Sequence, residues 1–198
     1  MGLAKCDVIF DPEAHSYTLW GNKLSGVTTM LGRMLFPDKH SGIAPEVLQK
    51  AADRGHAVHA AIEIGDTLGI ASDMDEYRDY VRLRDEAGLK PIANEYLISD
   101  YASIASSIDV VYEGNILADI KTTSKIETEY VSWQLSIYAY LFEKMNEGQK
   151  VDKLLVIWLP KPSYGKAKIK TVKRKSDEAV ETLIKCYRQY LKLLKYGE

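Results

Sequence analysis

Two short runs rich in β-branched and aromatic residues, Ile108 to Tyr112 and Ile116 to Lys121, are separated only by Glu113-Gly114-Asn115. This spacing predicts a strand, a tight turn and a returning strand, because Gly and Asn accept the backbone angles that a hairpin turn demands. Side chains alternate across a strand, so Asp119 and Lys121 project from one face and Ile116, Ala118 and Ile120 from the other. A loop of residues 113–115 sets Tyr112 opposite Ile116, and counting outward sets Asp109 across from Asp119. Facing carboxylates lie roughly 5 Å apart at Cβ and repel unless a cation or a proton stands between them. A divalent metal would keep both ionised. Hard oxygen ligands suit Mg²⁺ or Mn²⁺, and a bound ion beside a lysine suits attack of water on a phosphodiester. The plainer reading of the same residues is a solvated sheet edge with a surface ion pair, since Asp-x-Lys is short enough to recur by chance.

The chain as a whole bounds the choice. Its 198 residues, 46% of them hydrophobic, suffice for one globular domain with a sizeable core. The expected division is an N-terminal hairpin and helix over 1–40, a core over 41–175 and a closing helix over 176–198. A formal net charge of −2 rules out coating nucleic acid through overall charge, so such contact needs a local basic patch. Lys150, Lys153, Lys161, Lys166, Lys168, Lys170, Lys173, Arg174 and Lys175, set against Asp152 alone, form one candidate. The same lysines equally suit a solvated edge strand protected from aggregation. Cys6 and Cys186 are too few for a four-cysteine zinc or iron–sulfur site. Neither a secretory signal nor a long apolar run is evident, so a reducing cytoplasm and no membrane are expected. The absence of G-x-x-x-x-G-K-[ST] argues against an ATP-driven motor.

Taken in order, Asp7 to Asp11 reads as a strand, Asp11-Pro12-Glu13-Ala14 as a turn and His15 to Trp20 as a returning strand ending in Gly21-Asn22. His15 reads as polar surface. Ser25-Gly26-Val27-Thr28 offers capping residues for a short helix from about Thr28 to Leu35. Pro45 suits the first turn of a helix running to about Glu63. Leu48, Ala52, Gly55, His59 and Ile62 recur on its core-facing stripe, with His56 on a wetter face. His59 is then either a core histidine bonded to a backbone carbonyl or a ligand. Gly55 costs a helix roughly 1 kcal/mol relative to alanine, which predicts close approach of another backbone. A charged helix over 73–88, with a thin stripe of Tyr77, Tyr80, Val81 and Leu83, reads as peripheral. Asn94 to Ser99 reads as the first sheet strand and carries Glu95, either an edge carboxylate or an additional metal-side ligand. A helix from about Thr128 to Lys144 turns Val131, Leu135, Tyr138 and Phe142 inward and sets Gln134 one turn from Tyr138. The apolar run Leu154 to Leu159 suits a central strand buried on both faces. Lys166 to Val172 returns as a strand. Ser176 caps a closing helix with the stripe Val180, Leu183, Ile184, Tyr187, Leu191 and Leu194. This order predicts an α/β fold, a central mixed sheet flanked by helices with an N-terminal β-hairpin.

Four stretches together resemble the RecB-like branch of the PD-(D/E)XK nucleases, a resemblance that covers about residues 7 to 160. Arg54-Gly55-His56-Ala57-Val58-His59 resembles its R-G-x-x-x-H helix, and Ser106-Ser107-Ile108-Asp109 its G-x-x-D strand. Asp119-Ile120-Lys121-Thr122-Thr123 resembles its D-x-K-T segment, and Gln134-Leu135-Ser136-Ile137-Tyr138 its Q-x-x-x-Y helix. The strand His15-x-Tyr17 and the turn Ser25-Gly26-Val27-Thr28 are similar to those of small phage-type and mitochondrial-type single-domain exonucleases of that branch. The resemblance implies a restriction-endonuclease-like core and a Mg²⁺- or Mn²⁺-dependent deoxyribonuclease with one or two ions. By it, His59, Asp109, Asp119 and the Ile120 carbonyl are metal ligands, Lys121 orients or deprotonates the attacking water, and Glu95 helps place a second ion or its water. Gln134 and Tyr138 would hold the nucleic-acid backbone and the lysine, and Arg54 would contact phosphate.

The activity so implied is exonuclease action on single- or double-stranded DNA ends, in phage or bacterial recombination or repair. The setting would be the cytoplasm of a bacterium or a phage-infected host cell. A recombination or repair partner protein and a homo-oligomer are further expectations. Ser106 departs from the glycine of G-x-x-D. The four cluster-binding cysteines of some relatives are missing, so no iron–sulfur cluster is expected. The rival readings are a catalytically silent module of the same fold that binds nucleic acid or protein, and a structure-specific or RNA-directed nuclease.

Overall fold

The computed structural model describes residues 2–12 and 14–196. Glu13 of the expected N-terminal turn, and Gly197 and Glu198 of the expected closing helix, lie outside the described residues.

Strands β1 (Ile9–Asp11), β2 (Ser16–Leu19) and β3 (Asn22–Gly26) form an antiparallel meander. The expected hairpin therefore gains a third strand. Between the paired Leu19 and Asn22, Trp20 and Gly21 both take positive φ, 49° and 80°, as a two-residue hairpin turn requires. A tryptophan in that conformation is not announced by local sequence. Helix α1 (Val27–Met34) follows directly.

The central sheet is built on β4 (Pro91–Ser99), β5 (Ile104–Tyr112) and β6 (Ile116–Lys121), an antiparallel meander. Strand β7 (Lys153–Trp158) runs parallel to β6, and β8 (Lys168–Thr171) antiparallel to β7. A parallel step needs a crossover, which helix α4 (Thr128–Met145) supplies. Helices α2 (Pro45–Leu68) and α3 (Asp75–Glu86) lie on the opposite face, and α5 (Asp177–Tyr196) packs beside α4. Among the described residues this is a mixed eight-stranded sheet flanked by five helices. The arrangement is the mixed sheet flanked by helices expected from the order of elements, and it is consistent with the restriction-endonuclease-like core that the resemblance implies.

Two features of this sheet shape everything near the predicted hairpin. First, β5 carries β4 along one whole edge, so its other edge is shared by β3, paired at Ser25↔Ile104 and Gly26↔Ala105, and β6, paired at Val110↔Ala118 through Tyr112↔Ile116. The loop of residues 113–115 is as expected. Beyond Ala118, however, β6 leaves β5 and continues along β7, with Asp119↔Val156 and Lys121↔Trp158. A fork opens between the two strands at Asp109.

Second, the alternation of side chains slips by one residue at the same level. Ile104 and Ile108 of β5 enter the core beneath α4, whereas Val110 and Tyr112 enter the core beneath α2 and α3. On β4, Tyr96 and Ala93 both pack on the α4 side, although residues an odd number apart on a regular strand face opposite ways. Glu95, between them, has φ of 46°. It stands across from Asp109, between the pairs Asn94↔Val110 and Tyr96↔Ile108.

Several sequence expectations need correction. Helix α2 runs past Glu63 to Leu68 and ends at Gly69 in the left-handed conformation. Its stripe sinks only from Val58 onward, and Ala52 is exposed. Helix α3 is not peripheral: Tyr80 is fully buried and its hydroxyl donates to Asp66 while accepting from Tyr112 of the sheet. Leu194 of α5 is exposed. Gly55 is not where the backbones crowd, since a Cβ there would meet only Thr122 Oγ1 at 3.7 Å. The crowded glycine is Gly65, whose Cβ would lie 2.4 Å from the Tyr77 hydroxyl and 2.5 Å from its ring. Gly55→Ala should therefore raise stability by about 0.5–1 kcal/mol. Gly65→Ala should lower it by roughly 1–3 kcal/mol, because the buried Tyr77 ring must move. Thermal denaturation of the two variants checks both signs.

The far end of α4 is tied down by Glu143, which accepts hydrogen bonds from Arg174 Nη1 at 2.6 Å, Lys150 Nζ at 2.8 Å and the Val151 N–H at 3.0 Å. Burial by itself would raise the Glu143 pKa, but these donors outweigh it and hold the carboxyl at about 2. A group depressed on folding stabilises above its ordinary value of 4.5, and that contribution is lost as pH falls through about 2. Glu143→Gln should cost on the order of 2 kcal/mol at neutral pH and lose stability less steeply than the wild type between those pH values. Denaturant titrations across that range measure the slope.

Candidate active site

The fork gathers side chains from four elements. His59 reaches it from α2, where burial of Val58 and Ile62 fixes the rotation of the helix against the sheet. Its Nδ1 lies 3.5 Å from Glu95 Oε1 of β4 and 3.7 Å from Asp109 Oδ1 of β5, and its Nε2 lies 3.3 Å from the Ile120 carbonyl oxygen of β6. The ring faces a backbone carbonyl on one side and carboxylates on the other. One ligand atom each from His59, Glu95 and Asp109 lies within 4.8 Å of the others, a spacing that suits a metal ion.

Each carboxylate is held by a second contact. Asp109 Oδ2 accepts the Ile120 N–H at 2.6 Å, taking the place of the backbone partner that β6 lost in leaving β5. Glu95 Oε2 accepts the Ser107 hydroxyl at 2.6 Å. Both carboxylates keep their other oxygen toward His59.

Asp119 departs from the expected trio. It is 1% exposed and turned toward Lys121, whose ammonium lies 2.9 Å from Oδ1 and 2.8 Å from Oδ2. Only the Oδ1 contact has hydrogen-bond geometry, and Oδ2 is a buried acceptor without a donor. The slip in alternation is the cause: Asp109 and Glu95 turn toward α2, while Asp119 on the regular β6 faces α4. Lys121 also donates to Gln134 Oε1 at 3.2 Å. Gln134 Nε2 in turn donates to the Tyr138 hydroxyl at 2.8 Å, which also accepts from Ser106 Oγ at 2.9 Å. The residue that departs from the motif glycine thus joins the lysine network.

Electrostatics follow from crowding three carboxylates around one ammonium. Burial would lower the His59 pKa, but the charge of Asp109 and then the bond and charge of Glu95 raise it to about 9. Asp109 is pushed up to about 7, first by burial and then by the negative charges of Asp119 and Glu95, against the opposing pull of His59. Burial would also lower Lys121, and Asp119, followed by Asp109, more than offsets it, so the amine stays an ammonium. Neighbouring negative charge raises both groups, while burial adds to the rise at Asp109 and opposes it at His59. The fork holds more negative than positive charge and favours any added cation.

Not every expected contact is available. Gln134 and Tyr138 are 4% and 2% exposed, so they hold the lysine but present no surface to a nucleic-acid backbone. Arg54 donates from Nε and Nη2 to Glu76 of α3, and from Nη1 to the Thr122 carbonyl at 2.8 Å. It braces α2 against α3 and the end of β6. In the basic stretch, Arg174 is committed to Glu143 and Asp177, and Lys175 pairs with Glu129. His15 is exposed, as expected. Its ring lies 5.9 Å from that of His56 and its charge bears on Glu95, so His15, His56 and His59 run along one side of the fork. No local signal marks His15, because the N-terminal meander reaches α2 only through the fold.

No protein-family model matches the chain, and no curated protein does. Among solved structures, the crystal structure of SSO0001 is similar at a TM-score of 0.52 and 14% identity, covering 90% of this chain and 80% of that one. An alkaline exonuclease (LHK-Exo) from Laribacter hongkongensis aligns at a TM-score of 0.48 and 14% identity, covering 85% and 88%. The likeness to SSO0001 shows a shared fold. No helix of the described residues is long and apolar enough to cross a membrane.

The donor set itself fits a divalent metal: one imidazole, two carboxylates and a backbone carbonyl. Calorimetric titration should show Mn²⁺ binding to the wild type, weakened at least about 10-fold in Asp109→Asn. Equal binding by both would place the ion elsewhere.

Proposed function

We propose that the protein is a metal-dependent nuclease that hydrolyses phosphodiester bonds of DNA at the fork between β5 and β6. The observation that carries the reading is the convergence on that fork of His59, Glu95, Asp109 and the Ile120 carbonyl, beside a lysine fixed as an ammonium. Asp109, His59 and the Ile120 carbonyl would hold Mg²⁺ or Mn²⁺, with Asp119, here paired with Lys121, a further ligand. Glu95 shares this site and serves a second ion or its water. A bound divalent ion lowers the pKa of water and offsets charge on a phosphoryl oxygen.

The chain's own residues supply the rest. Lys121 keeps its proton through Asp119, so it orients the attacking water and offsets charge developing on the phosphoryl group rather than acting as the base. Gln134 fixes the direction of that ammonium, and Tyr138 with Ser106 fixes Gln134. Arg54 positions the end of β6, and hence Lys121, through the Thr122 carbonyl. Within this reading the substrate is linear DNA attacked from its ends, in recombination or repair, as the sequence resemblance implies. A catalytically silent copy has no need of a fully wired lysine beside mutually repelling carboxylates.

Lys121→Ala should lower Mg²⁺- or Mn²⁺-dependent degradation of linear DNA by about 10²-fold or more, with the folded circular dichroism spectrum kept and the Tm lowered by the loss of the partner of buried Asp119. Asp119→Asn should do the same while keeping side-chain volume. Assay on 5′- and 3′-labelled linear duplex beside covalently closed circles separates end-dependent from internal cleavage. Undiminished activity in Lys121→Ala overturns the assigned roles, and equal attack on closed circles overturns the exonuclease reading.

A further inference from the structure

Residues 153–176 hold eight lysines and arginines and not one Asp or Glu, in a chain whose formal charge is −2. The remainder of the chain is therefore acidic, and positive charge is gathered on one stretch. Arginines of α3 are neutralised where they stand, Arg78 by Asp75, Arg82 by Asp79 and Arg84 by Asp66. In the basic stretch the same holds for Lys153, Arg174 and Lys175. Lys161, Lys166, Lys168, Lys170 and Lys173 are exposed and have no carboxylate partner among the described residues.

A solvated edge strand needs charge somewhere along its length and no particular alignment of it. Here the alignment is particular. Pairing of the strands lines up Lys121 of β6 with Trp158 of β7, and Trp158 with Lys168 of β8. The next row is Asp119, Val156 and Lys170. Residues paired across neighbouring strands share a face, so Lys168 and Lys170 lie on the α4 side with Asp119 and Lys121, while Ile169 between them packs beneath α2 and α3. Neighbouring strands stand about 4.8 Å apart, which sets the Lys168 Cα roughly 10 Å from that of Lys121.

Both exposed ammonium groups are held in place. Lys168 Nζ sits 5.1 Å from the centroid of the Trp158 ring, within the range of a cation over an aromatic face. Lys170 Nζ donates to Thr128 Oγ1 at the start of α4, at 2.9 Å. Trp158 is itself fixed, since its Nε1 donates to the Thr123 carbonyl at 2.8 Å, just past the end of β6. The connection from β7 to β8 passes close over the same ring at Gly165, where a Cβ would lie 3.1 Å from Trp158 Cη2. Lys161 and Lys166 ride on that connection.

We propose that the edge strand β8 is the surface that carries the DNA backbone beside the fork, with Lys168 and Lys170 as its phosphate-binding residues. The inference rests on the nuclease reading, which puts one phosphate at Lys121. Each strand of a duplex advances about 3.4 Å of helix axis per phosphate, so the row from Lys121 to Lys168 spans about three nucleotides. Anchoring the two ammonium groups before DNA arrives limits the ordering cost of binding. Contacts to phosphate position the strand and read no sequence.

The test is fluorescence anisotropy of a short fluorescein-labelled duplex in EDTA over a series of NaCl concentrations. Wild type is compared with Lys168→Gln/Lys170→Gln, Lys168→Arg/Lys170→Arg and, as a control of equal charge on exposed residues of α5, Lys192→Gln/Lys195→Gln. Loss of two phosphate contacts should make the slope of log Kd against log[NaCl] shallower by about 1.8 and weaken binding more than about 10-fold near physiological salt. The β8 glutamine pair should show both changes, and the arginine pair and the α5 control should keep the wild-type slope. In Mg²⁺, the β8 glutamine pair should raise KM for the same duplex roughly 10-fold with kcat within about 3-fold of wild type. If that pair keeps the wild-type slope and Kd, β8 is a solvated edge and the surface is overturned, while hydrolysis by wild type leaves the nuclease reading standing. An equal change in the α5 control reports overall charge and also overturns the surface. A shallower slope with KM unchanged puts the bound DNA away from the fork and overturns the assignment. Absence of hydrolysis by wild type in Mg²⁺ or Mn²⁺ overturns the nuclease reading, and the placement beside the fork falls with it.

Discussion

The hydrogen bond from the Ile120 N–H to the Asp109 carboxylate is the interaction on which the rest of the site depends. A strand that leaves its neighbour exposes backbone groups that must find other partners. Here an acidic side chain accepts one of them, so β6 can part from β5 beyond Ala118 without leaving a buried donor unpaired. The same bond turns one Asp109 oxygen into the sheet and leaves the other facing His59. The Ile120 carbonyl, on the next group of the same backbone, faces His59 as well. Separation of the strands and assembly of the ligand set are thus one event.

Around that fork the two faces of the sheet divide the work. On the α2 side, the slip in alternation at Glu95 and Asp109 swings two carboxylates toward one imidazole. A glutamate held at positive φ is strained by roughly 1–3 kcal/mol, and the Ser107 bond and the pairing on either side keep it there. On the α4 side, β6 stays regular, so Asp119 and Lys121 point together into the Gln134–Tyr138–Ser106 chain of hydrogen bonds. Burial makes this chain rigid, since each polar atom lost from it would leave another unpaired in low dielectric. The helices are locked to the fork by contacts that themselves lie outside it, such as Arg54 between Glu76 and Thr122, and Glu143 at the distant end of α4.

Net charge offers little guide to how such a protein meets a polyanion. The chain carries a formal charge of −2, and four of the nine basic residues in its lysine-rich stretch, Lys150, Lys153, Arg174 and Lys175, are paired within the protein. Under the nuclease reading, the positive charge at the fork is Lys121, clamped by Asp119 and Gln134. Few contacts, held rigidly, suit a site that must also tolerate three carboxylates.

Periodicity and turn chemistry alone settled a good part of this. The three-residue loop between β5 and β6, the limits of α4 to within a residue and the two-sided burial of β7 all follow from local rules that tertiary context had no reason to override. The four short motifs likewise told which residues of α2, β5, β6 and α4 belong together. Tertiary structure decided where they point. Side-chain alternation cannot foresee that a strand will slip by one residue, so Asp109 and Asp119, read as facing partners, divide between the two faces and Glu95 takes the place beside His59. Nor does a helical stripe say which of its glycines meets a tyrosine, or that Arg54 and Gln134 would be spent inside the protein. His15 comes beside His56 only because the N-terminal meander folds against α2. Contacts of that kind depend on distances between segments far apart in the chain, and those are fixed only when both cores close around the sheet.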